Sequence, residues 1–128
     1  MNVYLIDYRG TLDSLEHPER VVQALKDQGH VVVLNSATPA HVIDQEHPRL
    51  RGVFDYLKEK GTFTAANLVS ELREKHLDLE QIIYVDDDPL YQINAEDFDL
   101  FRFCGVRWGY FHPKQAECLR MKPTGASS

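Results

Sequence analysis

Apolar residues along this chain fall into short unbroken runs, and the stretches between them carry helical spacing. Val3, Tyr4, Leu5 and Ile6 make the first run, Val31, Val32, Val33 and Leu34 the second, and Ile82, Ile83, Tyr84 and Val85 the third. Runs of four without a polar position suit strands covered on both faces, as in a parallel sheet. After the first run, Pro18 fits the opening turn of a helix. Val21, Val22 and Leu25 then recur at helical spacing to about Gln28, and Gly29 ends the helix. Before the third run, Thr64 caps a helix reaching about His76, with Ala65, Leu68, Val69 and Leu72 as its buried stripe.

The remaining segments carry weaker patterns. Pro39, Pro48 and Gly52 cut the stretch 37–53, residues 40–45 suit a short helix, and residues 54–57 are apolar enough to touch the core. Beyond the third run we expect a short helix over 89–95 and strands over 100–103 and 106–110 joined through Gly105. A last helix over 114–121 opens at Pro113. Residues 1–121 form one domain on this reading, and 122–128 a disordered tail.

Strands alternating with helices predict an α/β fold, a Rossmann-like three-layer α/β/α arrangement with a mainly parallel sheet. A chain of 128 residues holds five strands with helices on both faces and little more. The gaps between the early strands leave no room for a separate cap domain. Right-handed crossovers would bring the strand tips at Asp7, Ser36 and Asp87 to one edge of the sheet, where ligands bind in open α/β folds.

Charge and cysteine content narrow the classes of partner. A formal net charge of −6 repels polyanions at long range and weighs against general nucleic-acid binding. Cys104 and Cys118 have no metal-ligand spacing and read as structural thiols of a reducing compartment. No apolar run is long enough to span a bilayer, so the expected location is cytoplasmic and no membrane is expected as a partner. The six histidines show no ligand spacing; His41, just past the second strand, is the one nearest the expected site.

The candidate chemistry lies at the strand ends. Asp7 follows the first run and precedes the glycine turn at Gly10; Asp86, Asp87 and Asp88 follow the third. Two strand-end acidic sites in one small chain suggest a shared divalent cation. Taken singly, Asp7 is equally well a turn aspartate bonding its own backbone, and Ser36 a simple turn former.

The segment V-Y-L-I-D-Y-R-G-T-L resembles the D-x-D-G-T-[LV] signature of haloacid-dehalogenase-like phosphohydrolases, and later segments follow the same motif order. The resemblance implies that Asp7 is the nucleophile, forming an aspartyl-phosphate. It implies phosphate contacts from Thr11 and Ser36, with Asn35 a close competitor at the second strand tip. In F-D-Y-L-K-E-K it implies that Lys60 is the catalytic lysine, with Lys58 and Lys75 as alternatives. In I-I-Y-V-D-D-D-P-L-Y it implies Mg²⁺ held by Asp7, Asp86 and Asp87, since Mg²⁺ takes one or two carboxylates with water and phosphate oxygens. Asp88 reads as a helix-start residue. Tyr91, Gln92 and Ile93 occupy the stretch where many relatives carry a further acid.

One letter departs from the signature. Arg9 stands where the family's phosphatases carry a second aspartate, the general acid and base. A guanidinium stays charged at any working pH and cannot transfer that proton. Arg9 can bind phosphate, or it can pair with Asp7 and close the site. Asp13, Glu16 and His41 are the candidate replacement acids. Two expectations follow: a capless Mg²⁺-dependent phosphohydrolase, slow on alkyl phosphates and acting on a phosphorylated, even macromolecular, substrate; or an inactive module binding a phosphate-bearing ligand or a protein partner.

Overall fold

The computed structural model describes residues 1–86 and 102–105; Ala65 and residues 102–105 are described by their backbone alone. The expected elements over 89–95, 106–110 and 114–121, the tail, Asp87, Asp88 and both thiol side chains lie outside the described residues. Five strands form one sheet: β1 (Asn2–Ile6), β2 (Val31–Ser36), β3 (Tyr56–Glu59), β4 (Gln81–Asp86) and β5 (Arg102–Gly105). Their order is β3-β2-β1-β4-β5, and every neighbouring pair is parallel. Among the described residues, three α-helices lie between the first four strands: α1 (Pro18–Asp27), α2 (Ala40–Glu46) and α3 (Ala65–Lys75).

Alternation along the strands divides the core into two layers. Tyr4, Ile6, Val32, Leu34, Ile83 and Val85 face α1 and α2, packing with Val22, Leu25 and Ile43. Val3, Leu5, Val33, Ile82 and Tyr84 face the other way, against Leu68, Val69 and Leu72 of α3. The continuous apolar runs are therefore covered on both sides, as parallel strands with flanking helices require. Thr64 caps α3 by accepting a hydrogen bond from the Asn67 amide at 3.2 Å.

Strand β3 departs from the sequence expectation, which placed only core contact near 54–57. Its residues alternate between half-buried and exposed, and among the described residues it pairs with β2 alone, at the sheet's edge. An edge strand has no need of apolar residues on both faces, so Y-L-K-E carries no strand signature. Strand β2 also runs two residues past its apolar stretch, which takes Asn35 and Ser36 into the ladder opposite Lys58 and Glu59. Gly105, read from the sequence as a joint, pairs opposite Asp86 instead. No helix among the described residues is long and apolar enough to cross a membrane.

Because all strands are parallel, their carboxyl ends lie along one edge. The chain proceeds outward from β1 through β2 to β3, then returns to place β4 on the other flank of β1. The order thus reverses between β1 and β4, and the crevice outside such a reversal is where open α/β sheets bind ligands. Asp7 and Asp86 stand at those two tips.

Candidate functional site

Asp7 immediately follows β1, and its amide still donates to the Val85 carbonyl at 2.9 Å, extending the β1–β4 ladder to its last rung. The chain then turns sharply over Tyr8–Leu12. Gly10 makes the turn with φ +79°, a left-handed conformation that side chains with a Cβ rarely adopt. Thr11 comes back beneath the turn, fully buried, and its hydroxyl donates to Asp7 Oδ2 at 3.3 Å. Asp86 is the last residue of β4, on the same side of the strand as Tyr84.

Lys60 follows β3 directly. Its amide donates to the Ser36 carbonyl at 3.1 Å, anchoring the start of the loop to the tip of β2. From there its side chain reaches across the sheet edge. The ammonium lies 3.0 Å from Asp7 Oδ1 and 2.9 Å from Asp86 Oδ2. Exposure of the three side chains is 7%, 6% and 1%, so this ionic group is almost wholly out of water. Lys58 and Lys75, the alternatives weighed from sequence, are both bonded to Glu71 of α3.

Burial alone would lower the Lys60 pKa, but hydrogen bonds and charge from Asp86 and Asp7 outweigh it and leave the pKa above its ordinary value. Lys60 is therefore an ammonium across the physiological range. Tyr84 completes the group: its hydroxyl donates to Asp86 Oδ2 at 2.7 Å, the same oxygen that Lys60 contacts. Burial, and next the bond to Asp86, drive the phenol pKa strongly upward. Asn35 Nδ2 lies 3.5 Å from the Tyr84 oxygen, while its buried Oδ1 has no hydrogen-bond partner among the described residues.

Ser36 and Asn35, the two candidates at the tip of β2, thus differ in role. Ser36 Oγ accepts from the Thr38 amide at 2.9 Å, which sets its rotamer and leaves its proton to donate elsewhere. Asn35 belongs to the buried network on the other side of the strand.

Arg9 pairs with neither Asp7 nor Asp86 in the described ion pairs. Its Nη1 lies 3.0 Å from Asp13 Oδ2 and 3.1 Å from Glu46 Oε1, and its guanidinium stacks 5.3 Å from the Tyr8 ring centre. Tyr8 donates to the same Glu46 carboxylate at 2.6 Å. The bond from Tyr8, then that from Arg9, hold the Glu46 pKa below the usual carboxylate range. Asp13 Oδ1 accepts from the Gly10 amide at 2.9 Å. This cluster fastens the turn after Asp7 to the end of α2. Of the replacement acids, Asp13 is engaged in it, Glu16 lies 3.7 Å from His17, and His41 is exposed near the start of α2.

The strand-end pattern named Asp7, Ser36 and Asp87 as converging tips, and the motif resemblance added Thr11, Lys60 and Asp86. The structure brings Asp7, Thr11, Lys60 and Asp86 together with Ser36 at the neighbouring tip, and Asp87 lies outside the described residues. Sequence reasoning did not identify Tyr84, although an aromatic hydroxyl two residues before Asp86 must share its side of the strand. Glu46, distant in sequence, gave no signal. Among the described residues, no group of three or more His, Cys, Asp or Glu side chains is arranged to hold a metal ion. Comparison with protein-family models, curated proteins and solved structures found no match to this chain.

Proposed function

We propose that this chain is a capless, Mg²⁺-dependent phosphohydrolase of the haloacid-dehalogenase-like type, built on a Rossmann-like three-layer fold and working through an aspartyl-phosphate at Asp7. The observation that carries the reading is the Lys60 ammonium held between Asp7 and Asp86 at the sheet edge. The strand order, the helices on both faces and the single α-helix between β1 and β2 support the fold assignment.

On this reading the Asp7 carboxylate attacks phosphorus, and Lys60 lowers the repulsion between that carboxylate and the incoming phosphoryl oxygens. Thr11 orients the carboxylate, and Ser36 donates its hydroxyl proton to the phosphate. The donor set fits Mg²⁺ in kind, since two carboxylates stand at adjacent strand tips and this ion needs only one or two. Asp7 and Asp86 would hold it, with Asp87 contributing from outside the described residues. When bound, Mg²⁺ supplies positive charge to the phosphoryl oxygens.

Hydrolysis of phenyl phosphate with and without Mg²⁺, beside Asp7→Asn, tests the proposal. Metal-dependent turnover lost in the variant supports it; a rate untouched by the substitution refutes Asp7 as nucleophile. A second reading, a non-catalytic module that binds a phosphate-bearing ligand or a protein partner, draws support from Arg9. Its guanidinium occupies the general-acid position and is committed to Asp13 and Glu46. Phosphate binding without turnover would favour that reading.

A further inference from the structure

A cleft of about 220 Å³ lies between β2, β3 and α2, beside the strand tips. Leu34, Ile43 and Leu57 form its apolar wall, and Ser36, Arg51 and Glu59 its polar rim. For scale, an apolar cavity of about 150 Å³ suffices to bind benzene. Leu57 is 51% exposed, one of two large apolar side chains left so open among the described residues. Arg51 is held back by a two-point bond to Asp44 at 2.8 and 2.6 Å, so the rim is shaped before any ligand arrives.

We propose that this cleft takes the aromatic ring of an aryl phosphomonoester whose phosphoryl group lies at Asp7. The inference rests on the phosphohydrolase reading and names its substrate class. Two independent observations converge on it. Ser36 joins the two places, since it lines the cleft and its carbonyl anchors the Lys60 amide. Glu59, also in the lining, immediately precedes Lys60, so the cleft opens on the α2 face while Lys60 reaches Asp7 from the other, and a ligand joining the two passes over the strand tips at Ser36.

The second observation is chemical. With Arg9 at the acid position, the leaving group departs without a proton from the protein. Phenols, with pKa values near ~10 like that of tyrosine, leave as anions far more readily than alkyl alcohols. Asp7 oxygen forms a bond to phosphorus as the P–O(aryl) bond breaks; the phenolate keeps the electron pair and takes its proton from water. Water then attacks the phosphorus of the aspartyl-phosphate, the P–O(Asp7) bond breaks, and the water proton passes to solvent.

The test compares kcat/KM for phenyl phosphate and acetyl phosphate, whose leaving group also needs no proton but has no ring. Leu57→Gln at the wall and Ala40→Trp, at a residue of the first turn of α2 that also lines the cleft, should each lower the preference for phenyl phosphate about 10-fold, as expected for loss of apolar ring contact. An unchanged preference overturns the cleft assignment and leaves the Asp7 reading standing. Methyl NMR with phenylphosphonate separates the failures: shifts at Leu57 and Ile43 that Ala40→Trp removes support the cleft even if turnover is absent. Saturable binding that leaves those methyls unmoved overturns it.

Discussion

Lys60 and Asp86 meet at 2.9 Å with their side chains almost fully buried, and the same ammonium holds Asp7 at 3.0 Å. Each carboxylate is tolerated out of water because the Lys60 ammonium supplies counter-charge to both. Lys60→Met should therefore destabilise the fold by about 3–5 kcal/mol, the usual cost of removing one partner from a buried ion pair. Adding Asp86→Asn should recover part of that loss. Urea unfolding of the single and double variants measures both; equal stability of wild type and Lys60→Met would show that the ionic group contributes nothing to folding.

Tyr84→Phe removes one donor to Asp86 without changing the ring. A hydrogen bond to a charged group contributes roughly 1.5–3 kcal/mol, so a loss in that range is expected by thermal or chemical unfolding. Because the phenol pKa is raised, the bond persists across working pH, and the difference between wild type and variant should stay flat from neutral to moderately alkaline conditions.

Glu46 has its pKa lowered in the folded state by Tyr8 first and Arg9 next. A depressed carboxylate contributes stability that is present above its unfolded pKa of 4.5 and lost as pH falls through the folded value. Glu46→Gln should remove part of the acid-side slope below that pH while reducing stability at neutrality. Unfolding midpoints recorded from pH 6 downward give the comparison, and identical slopes would discount the Arg9–Glu46 attachment.

On the proposed function, Arg9→Asp supplies the acid that the haloacid-dehalogenase-like signature carries at this place. If the missing proton donor limits turnover of alkyl phosphates, the rate should rise about 10-fold or more. The same change sets a third carboxylate beside Asp13 and Glu46, so stability should fall at the same time. Steady-state assays on an alkyl phosphate, paired with unfolding curves, separate the two effects. No rise in rate would place the limit elsewhere than the acid.

The buried strands were legible because β1, β2 and β4 are covered on both faces and must be apolar throughout. Helices α1 and α3 were legible through their periodic stripes and, for α3, through the Thr64 cap. Strand β3 was not, since an edge position leaves Lys58 and Glu59 free to be charged. Convergence of the tips after β1, β2 and β4 could be anticipated because parallel strands put their carboxyl ends together, whereas Lys60 came from the motif resemblance alone. The partner of Arg9 could not: Glu46 sits 37 residues away on a short helix whose orientation depends on tertiary packing. Arg9, expected at a phosphate or at Asp7, instead lies against Asp13 and Glu46.

The placement of β4 between β1 and β5 ties the ionic group to the last long-range pairing of the central strands. Asp86 reaches Lys60 and Asp7 only when β4 lies against β1, so loss of that pairing would open the electrostatic centre even with the first three strands intact.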